Sequence, residues 1–293
     1  MYDVIIIGKG PAGISAALYT VRAKLKTLII GKDESALKKT EKIENYYGFS
    51  EPVSGEFLLR EGEKQVRRLG VDIYDDEVIA IEKLDFFEVT TASSVYSAKA
   101  VLMATGQPQK KVRIEKLGDY EGRGVSYCTT CDGFFYRNLK VGVLGFKDFA
   151  AHEALELEAF TKDITIYTNG RELEMSEKHM EETGRFKVNT RPVRELDGEE
   201  YLQKIHFKDG TSEEIDGIFV AYESASSSDF AKKLGILTSG NDIVVDGSQQ
   251  TNIEGLFAAG DCTGGFKQIA TAVGQGALAG RKIIEYVRKS DPV

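Results

Sequence analysis

The first thirteen residues constrain the fold more than any other stretch. Val4 to Ile7 is a β-branched run ended by Gly8, the pattern of a strand buried on both faces. GKGPAG follows, then the helix-like run ISAALYTVRA and a second apolar run, KTLII. Strand, glycine-rich turn, helix, strand in that order predict a dinucleotide-binding unit, and with it an α/β protein built on parallel sheets. The three glycines act differently. Gly8 permits the tight turn, Gly10 lets the backbone approach a pyrophosphate, and Gly13 lets the helix pack on the strand. The helix start then presents its positive dipole end to the phosphates. One position departs from the common fingerprint. The acid expected at the end of the second strand, where it would hold a ribose, is replaced by Gly31; the next acids are Asp33 and Glu34. That weakens an NAD reading more than a flavin reading.

A second unit of the same kind begins near Lys140. VGVLGFKDFAAHEALELEAF followed by DITIYT again reads strand, turn, helix, strand, with Ala151, Ala154 or Leu155, and Ala159 on one helical face. Between the two units lies a β-rich stretch, DFFEVTTASSVYSAKAVLMATG. Beyond the second come the alternating runs YLQKIHFKDG, EIDGIFVAY and NDIVVDG, then TNIEGLFAAGDCTGG as strand and turn. ATAVGQGALAGRKIIEYVRK closes the chain as a helix rich in small residues.

Composition removes several classes. With 38 Lys and Arg against 46 Asp and Glu, the 293-residue chain carries a net charge of −8, which argues against nucleic acid as the main partner. No apolar run approaches the ~20 residues of a membrane helix, and the start MYDVIIIGKG, with Asp3 and no cationic stretch, is expected to be a buried strand and not a signal peptide. Three cysteines in so long a chain cannot be a disulfide scaffold, and a cytoplasmic location is expected. Two of them stand close, Cys128 and Cys131 in CTTCDG. Zinc would need about four ligands, but Cys262, His152, His179 and His206 are scattered without ligand spacing, so no metal is expected. Redox chemistry fits better, because two thiols so spaced close a small ring and one can be activated by a neighbouring acid–base group. Asp132 is the candidate proton carrier; its blander role is a helix N-cap or first-turn carboxylate, and the two can coexist.

Taken in order, GKGPAG, IENYYGF (43–49), ATGQ (104–107), GVSYCTTCDGFFY (124–136), GLFAAGDCT (255–263) and QIATAVGQGA (268–277) resemble the low-molecular-weight thioredoxin reductase family over nearly the whole chain. The resemblance implies two nested Rossmann-like dinucleotide-binding domains. The FAD domain would be discontinuous (1–113 and 243–293), with the redox-disulfide domain (114–242) inserted in it. It implies FAD held by Gly8, Gly10, Pro11, Ala12 and Gly13, with Asn45, Thr105, Gly106, Gly260, Asp261, Gln268, Ile269 and Ala270 completing the site. Cys131 would be the flavin-proximal sulfur, Cys128 the one that attacks thioredoxin, and Asp132 the acid–base residue. Cys262 reads as a buried structural thiol. Members are commonly homodimers.

The second unit breaks the family's pattern. NADPH-using relatives have a GxGxxA turn and a basic cluster after the next strand. Here the turn is Gly145-Phe146-Lys147-Asp148-Phe149-Ala150, the strand ends Thr168-Asn169-Gly170, and the later basic position is Glu174. Only Arg171 is near to meet a 2′-phosphate. Losing two charge-assisted contacts at ~1.5–3 kcal/mol each weakens binding at least ~100-fold. A glycine-bearing motif expected after GIFVA is YESASSS (222–228). The chain thus resembles the pyridine-nucleotide-independent branch, in which reduced ferredoxin supplies the electrons. Two alternatives stay open: a second FAD in the altered site, or an ordinary NADPH enzyme in which Lys147 itself pairs with a phosphate. Ferredoxins are acidic, so docking needs a basic face. The candidates are Lys38, Lys39 and Lys42, then Arg67 and Arg68, and the run Lys110, Lys111, Arg113 and Lys116, each of which could equally be ordinary solvated charge.

Overall fold

The computed structural model describes residues 1–32, 35–106 and 112–290; Asp33, Glu34, Gln107, Lys110 and Lys111 lie outside the described residues. The chain opens with β1 (Tyr2–Ile7), α1 (Pro11–Arg22) and β2 (Thr27–Ile30). Next come α2 (Gly55–Arg68), β3 (Asp72–Tyr74), β4 (Val78–Lys83), β5 (Phe87–Thr91) and β6 (Val95–Met103). The middle holds β7 (Val125–Ser126), α3 (Thr129–Asp132), β8 (Val141–Leu144), α4 (Asp148–Leu157), β9 (Ile164–Tyr167), α5 (Glu177–Thr183) and β10 (Lys187–Asn189). A three-strand excursion, β11 (Val193–Asp197), β12 (Lys204–Phe207) and β13 (Ser212–Glu214), precedes β14 (Gly217–Val220). The end consists of α6 (Ser227–Leu234), β15 (Thr238–Ser239), β16 (Asp242–Ile243), β17 (Leu256–Ala258) and α7 (Ile269–Ser290).

These elements form two compact units, residues 1–108 with 226–293, and residues 109–225. Residues 226–242, expected from the sequence in the inserted domain, pack instead with the terminal unit, because α6 rests against β4 and β16.

In the terminal unit β3, β2, β1 and β6 run parallel. The far edge of β6 is shared: residues 95–98 pair antiparallel with β5, and residues 101–103 pair parallel with β17. Val4–Ile7 and Thr27–Ile30 are wholly buried, as strands covered on both faces must be. The small residues of the closing helix have a steric reason. A Cβ on Gly276 or Gly280 would collide with the carbonyl oxygens of Ala12 or Ala16, so α7 lies directly on α1.

The inserted unit is an all-parallel sheet in the order β10-β9-β8-β14-β7, beside the antiparallel β11-β12-β13. Two expectations change here and at the end of the chain. α4 stops at Leu157 and buries Phe149, Ala150, Ala151, Glu153, Ala154 and Leu157, which leaves Ala159 exposed beyond its end. Of NDIVVDG only Asp242–Ile243 pairs as strand. Among the described residues no helix is long and apolar enough to cross a membrane.

Candidate functional site

In the terminal unit, the carboxyl ends of β1, β6 and β17 lie side by side, and each feeds a glycine turn. Gly8 has φ +111°, and a Cβ there would collide with the Ala104 carbonyl oxygen. A Cβ on Gly13 would collide with the Gly8 carbonyl, which is the close helix–turn packing expected of it. Between them, Gly10 caps α1 and faces open ground, with nothing within 4 Å of where its Cβ would be. Pro11 and Ala12 begin the helix, whose first turn carries no acid.

Thr105 and Gly106 follow β6, and the Thr105 hydroxyl oxygen is buried without a hydrogen-bond partner. Gly260 and Asp261 follow β17, where the Gly260 N–H donates to Gln275 Oε1 at 2.8 Å. Gln268, Ile269 and Ala270 open α7, and Asn45 Nδ2 donates to Gln268 Oε1 at 2.9 Å across 223 positions of sequence. Open space over Gly10, an acid-free helix start and an orphaned hydroxyl suit a diphosphate-linked cofactor. Cys262, in the same unit, is fully buried with its thiol against the carbonyls of Ala259 (3.4 Å) and Met103 (3.5 Å). Burial pushes its pKa up to about 12, so it is an inert thiol.

In the inserted unit, Cys128 and Cys131 are joined as a disulfide where β7 runs into α3, with Cα atoms 5.3 Å apart. Cys128 is 3% exposed, whereas Cys131 is open to solvent. Cys128 caps α3, and its Sγ accepts the Cys131 N–H at 3.1 Å. Asp132 does not act as a side-chain cap; its Oδ2 accepts the Ser126 hydroxyl at 2.6 Å. Four residues on, burial and then the Asp132 charge raise the Tyr136 phenol above its ordinary value.

Two supports escaped the sequence-based expectations, Ser126 and Glu153. Glu153, buried in α4, accepts both the N–H (3.1 Å) and the hydroxyl (2.6 Å) of Thr129 on one carboxylate oxygen. Both residues stand in legible motifs, yet nothing local says which side chain they reach. The neighbouring His152 is not isolated either; its Nε2 lies 3.1 Å from Glu156. Directly after the redox pair, Phe134 and Phe135 are 58% and 73% exposed and meet edge to face.

The second glycine turn, also in the inserted unit, is bonded to a neighbouring segment of its own chain. A Cβ on Gly145 would strike the Ala221 carbonyl, the counterpart of Gly8 against Ala104. At Lys147, however, the backbone pairs with Glu174, and the Glu174 N–H donates to the Phe146 carbonyl at 2.8 Å. Phe146 is fully buried, edge to face with Tyr222 and under the Arg171 guanidinium at 4.5 Å; Arg171 in turn pairs with Glu174 at 3.1 Å. Asp148 Oδ1 accepts the Ser176 N–H and hydroxyl, both at 2.8 Å, and lies 2.7 Å from His179 Nδ1. Residues 171–176 are therefore stapled across the turn. After β14, YESASSS forms a capping box for α6, with Ser226 and Asp229 bonded reciprocally.

Residues 2–276 match the family described as pyridine nucleotide-disulphide oxidoreductase. The chain belongs to that family. A thioredoxin reductase of Treponema pallidum (strain Nichols) is 35% identical, over 98% of this chain and 97% of the relative. The crystal structure of the atypical thioredoxin reductase TRi from Desulfovibrio vulgaris Hildenborough superposes with a TM-score of 0.97 at 42% identity, covering 100% of both chains. A ferredoxin-flavin thioredoxin reductase from Clostridium acetobutylicum gives 0.73 at 27% identity, covering 98% of each. FAD is the cofactor of the thioredoxin reductases in this family.

Proposed function

We propose that this family member is an FAD-dependent thioredoxin-disulfide reductase that takes its electrons from reduced ferredoxin instead of NADPH. One observation carries the choice of donor: the second glycine turn has Lys147 in place of its middle glycine and is bridged to residues 171–176, while nothing lies within 4 Å of where a Cβ would stand on Gly10 in the first turn. A hydride carrier needs that second turn for its pyrophosphate. A one-electron protein donor needs only to dock.

FAD would be held by the residues around Gly8, Gly10, Gly13, Thr105, Asp261 and Gln268, and would supply the means to collect single electrons and pass on two. Two ferredoxin encounters then replace one hydride. The Cys128–Cys131 disulfide accepts two electrons and two protons and becomes a dithiol. Cys128, losing its proton to Asp132, attacks the thioredoxin disulfide; Cys131 resolves the mixed disulfide, re-forming the Cys128–Cys131 bond as reduced thioredoxin leaves. Because Cys128 is only 3% exposed, the exchange requires a conformation in which its sulfur is reached. The exposed Phe134 and Phe135 offer thioredoxin an apolar landing beside the pair. Lys39, Lys42, Arg68 and Arg113 remain exposed candidates for ferredoxin, whereas Lys116 is held by Asp197 (3.2 Å) and Arg67 by Glu63 (2.8 Å). The expected assembly is a homodimer in the cytoplasm.

Anaerobic titration tests the donor. Reduced ferredoxin should bleach the flavin, and micromolar NADPH should not; rapid bleaching by NADPH returns the chain to the nucleotide-dependent branch. A flavin-to-polypeptide ratio near one is expected, and a ratio near two would favour a diflavin enzyme.

A further inference from the structure

Ser126, the last residue of β7, is 4% exposed and spans the redox turn from inside. Its Oγ accepts the Cys128 N–H at 3.1 Å, lies 3.3 Å from the Cys128 carbonyl and is 2.6 Å from Asp132 Oδ2. A serine hydroxyl has one proton to give. The 2.6 Å contact has the length of a charge-assisted O–H···O⁻ bond, so the proton goes to Asp132 and the carbonyl contact is secondary. One hydroxyl therefore connects the amide of the first cysteine to the carboxylate that follows the second.

Asp132 has a more local use available, because it stands where a carboxylate could cap the helical turn Gly133–Tyr136, and it makes no such bond. Its side chain is turned to Ser126 instead. We propose that Ser126 is the positioning residue for Asp132, locking Oδ2 so that Oδ1 exchanges the proton with the Cys128 sulfur. The proposal rests on the reading above in which Asp132 carries that proton. It adds no step to the reaction. The proton that leaves Cys128 on attack is the one returned to the departing thiolate, and Ser126 keeps its own throughout.

Ser126 also supports the Cys128 amide, so a single substitution would mix two effects. A double-mutant cycle separates them. The full-length FAD-loaded chain is reduced anaerobically with dithionite, which bypasses the natural donor, and its reoxidation is followed with thioredoxin and, separately, with 2-hydroxyethyl disulfide. The four proteins are wild type, Ser126→Ala, Asp132→Asn and the double variant, with Ser126→Thr as the conservative rescue; FAD content and thermal midpoint are read on each. Ser126→Ala should slow reoxidation about tenfold, a share of the ~10²-fold that a well-placed acid–base group contributes. In the Asp132→Asn background it should cost less than about twofold, and Ser126→Thr should recover most of the loss. Equal losses in both backgrounds would make Ser126 a prop for the turn alone and overturn the proposal, as would an Asp132→Asn chain as fast as wild type. If wild type reduces the small disulfide but not thioredoxin, the functional reading fails while the small-disulfide cycle still decides the role of Ser126.

Discussion

The two glycine turns share a frame and differ in what stands in its middle. Gly8 and Gly145 each press against a carbonyl of the neighbouring strand's exit, Ala104 and Ala221, and Gly13 and Ala150 seat the following helix. Between those fixed points one turn has Gly10 under open space; the other has Lys147, bridged to Glu174, with Phe146 buried beneath. The frame is what strand–helix packing demands, so it persists whether or not a nucleotide is bound. The middle position answers to the ligand alone. The replacement at that position itself therefore speaks first about binding, and the segment bonded beside it about folding.

Exchanging the middle residues tests this most severely. Gly10→Lys puts into the first turn what the second already has, at a site where a Cβ meets no protein atom. The fold should survive, with a thermal midpoint close to that of the wild-type apoprotein, while FAD affinity falls more than ~100-fold, as loss of close pyrophosphate approach and two or more phosphate contacts implies. Flavin absorbance per polypeptide reads it directly. Full flavin retention would mean that the open ground over Gly10 is not where the diphosphate lies.

The staple over the second turn should show itself in stability. Burial raises the Asp148 carboxyl, but the hydrogen bonds from His179 and Ser176 outweigh it, and the net direction is below the ordinary carboxylate value. A carboxylate with a depressed folded pKa contributes stability above its unfolded pKa, near ~3.9, and loses it as pH falls through the lower folded value. Asp148→Asn should thus cost about 2 kcal/mol at neutral pH, with the gap to wild type closing below about pH 4. Denaturant midpoints followed from about pH 7 down to about pH 2 check it. A gap that is the same at both ends would remove the ionised Asp148 from the staple's energetics.

What the sequence revealed of the two turns follows the same division. The β1-turn-α1-β2 and β8-turn-α4-β9 units, the CxxC pair and the closing helix were legible because periodicity, glycine spacing and short loops are local signals. Residues 171–176 folding over Lys147 was not; Glu174 was visible only as a missing cation, and its backbone pairing is a tertiary event. Ser126 and Glu153 stayed hidden for the same reason, as did the bond from Asn45 to Gln268. The unit boundary slipped to residue 226 because the capping box Ser226–Asp229 starts a helix whose apolar face is satisfied by β4, far back in the chain.

A reverse exchange should have a smaller effect. Lys147→Gly with Glu174→Arg restores the middle glycine and a cation but leaves Phe146 and Tyr222 packed together, so NADPH affinity should rise only about tenfold, the worth of one added charge-assisted contact. Calorimetric titration reads it. In a wild-type chain that already binds NADPH at micromolar levels, Lys147 would be a phosphate ligand and the two turns functional equivalents.

The donor that replaces the nucleotide should leave the weakest mark on any single residue. Lys39 and Lys42 stand exposed on the 3₁₀ turn Ala36–Lys39 and the loop after it, in the same unit as the open glycine turn. Rim charges act on encounter more than on affinity, and their effect decays with a Debye length of about 8 Å at physiological salt. Lys39→Glu with Lys42→Glu should slow flavin reduction by ferredoxin about threefold at low ionic strength, and the difference should vanish in ~0.5 M salt as the Debye length falls toward about 4 Å. Flavin content and the rate of thioredoxin reduction after dithionite should not change. Stopped-flow bleaching at several salt concentrations decides it, and a double variant as fast as wild type at low salt would move the docking face to Arg68 or Arg113.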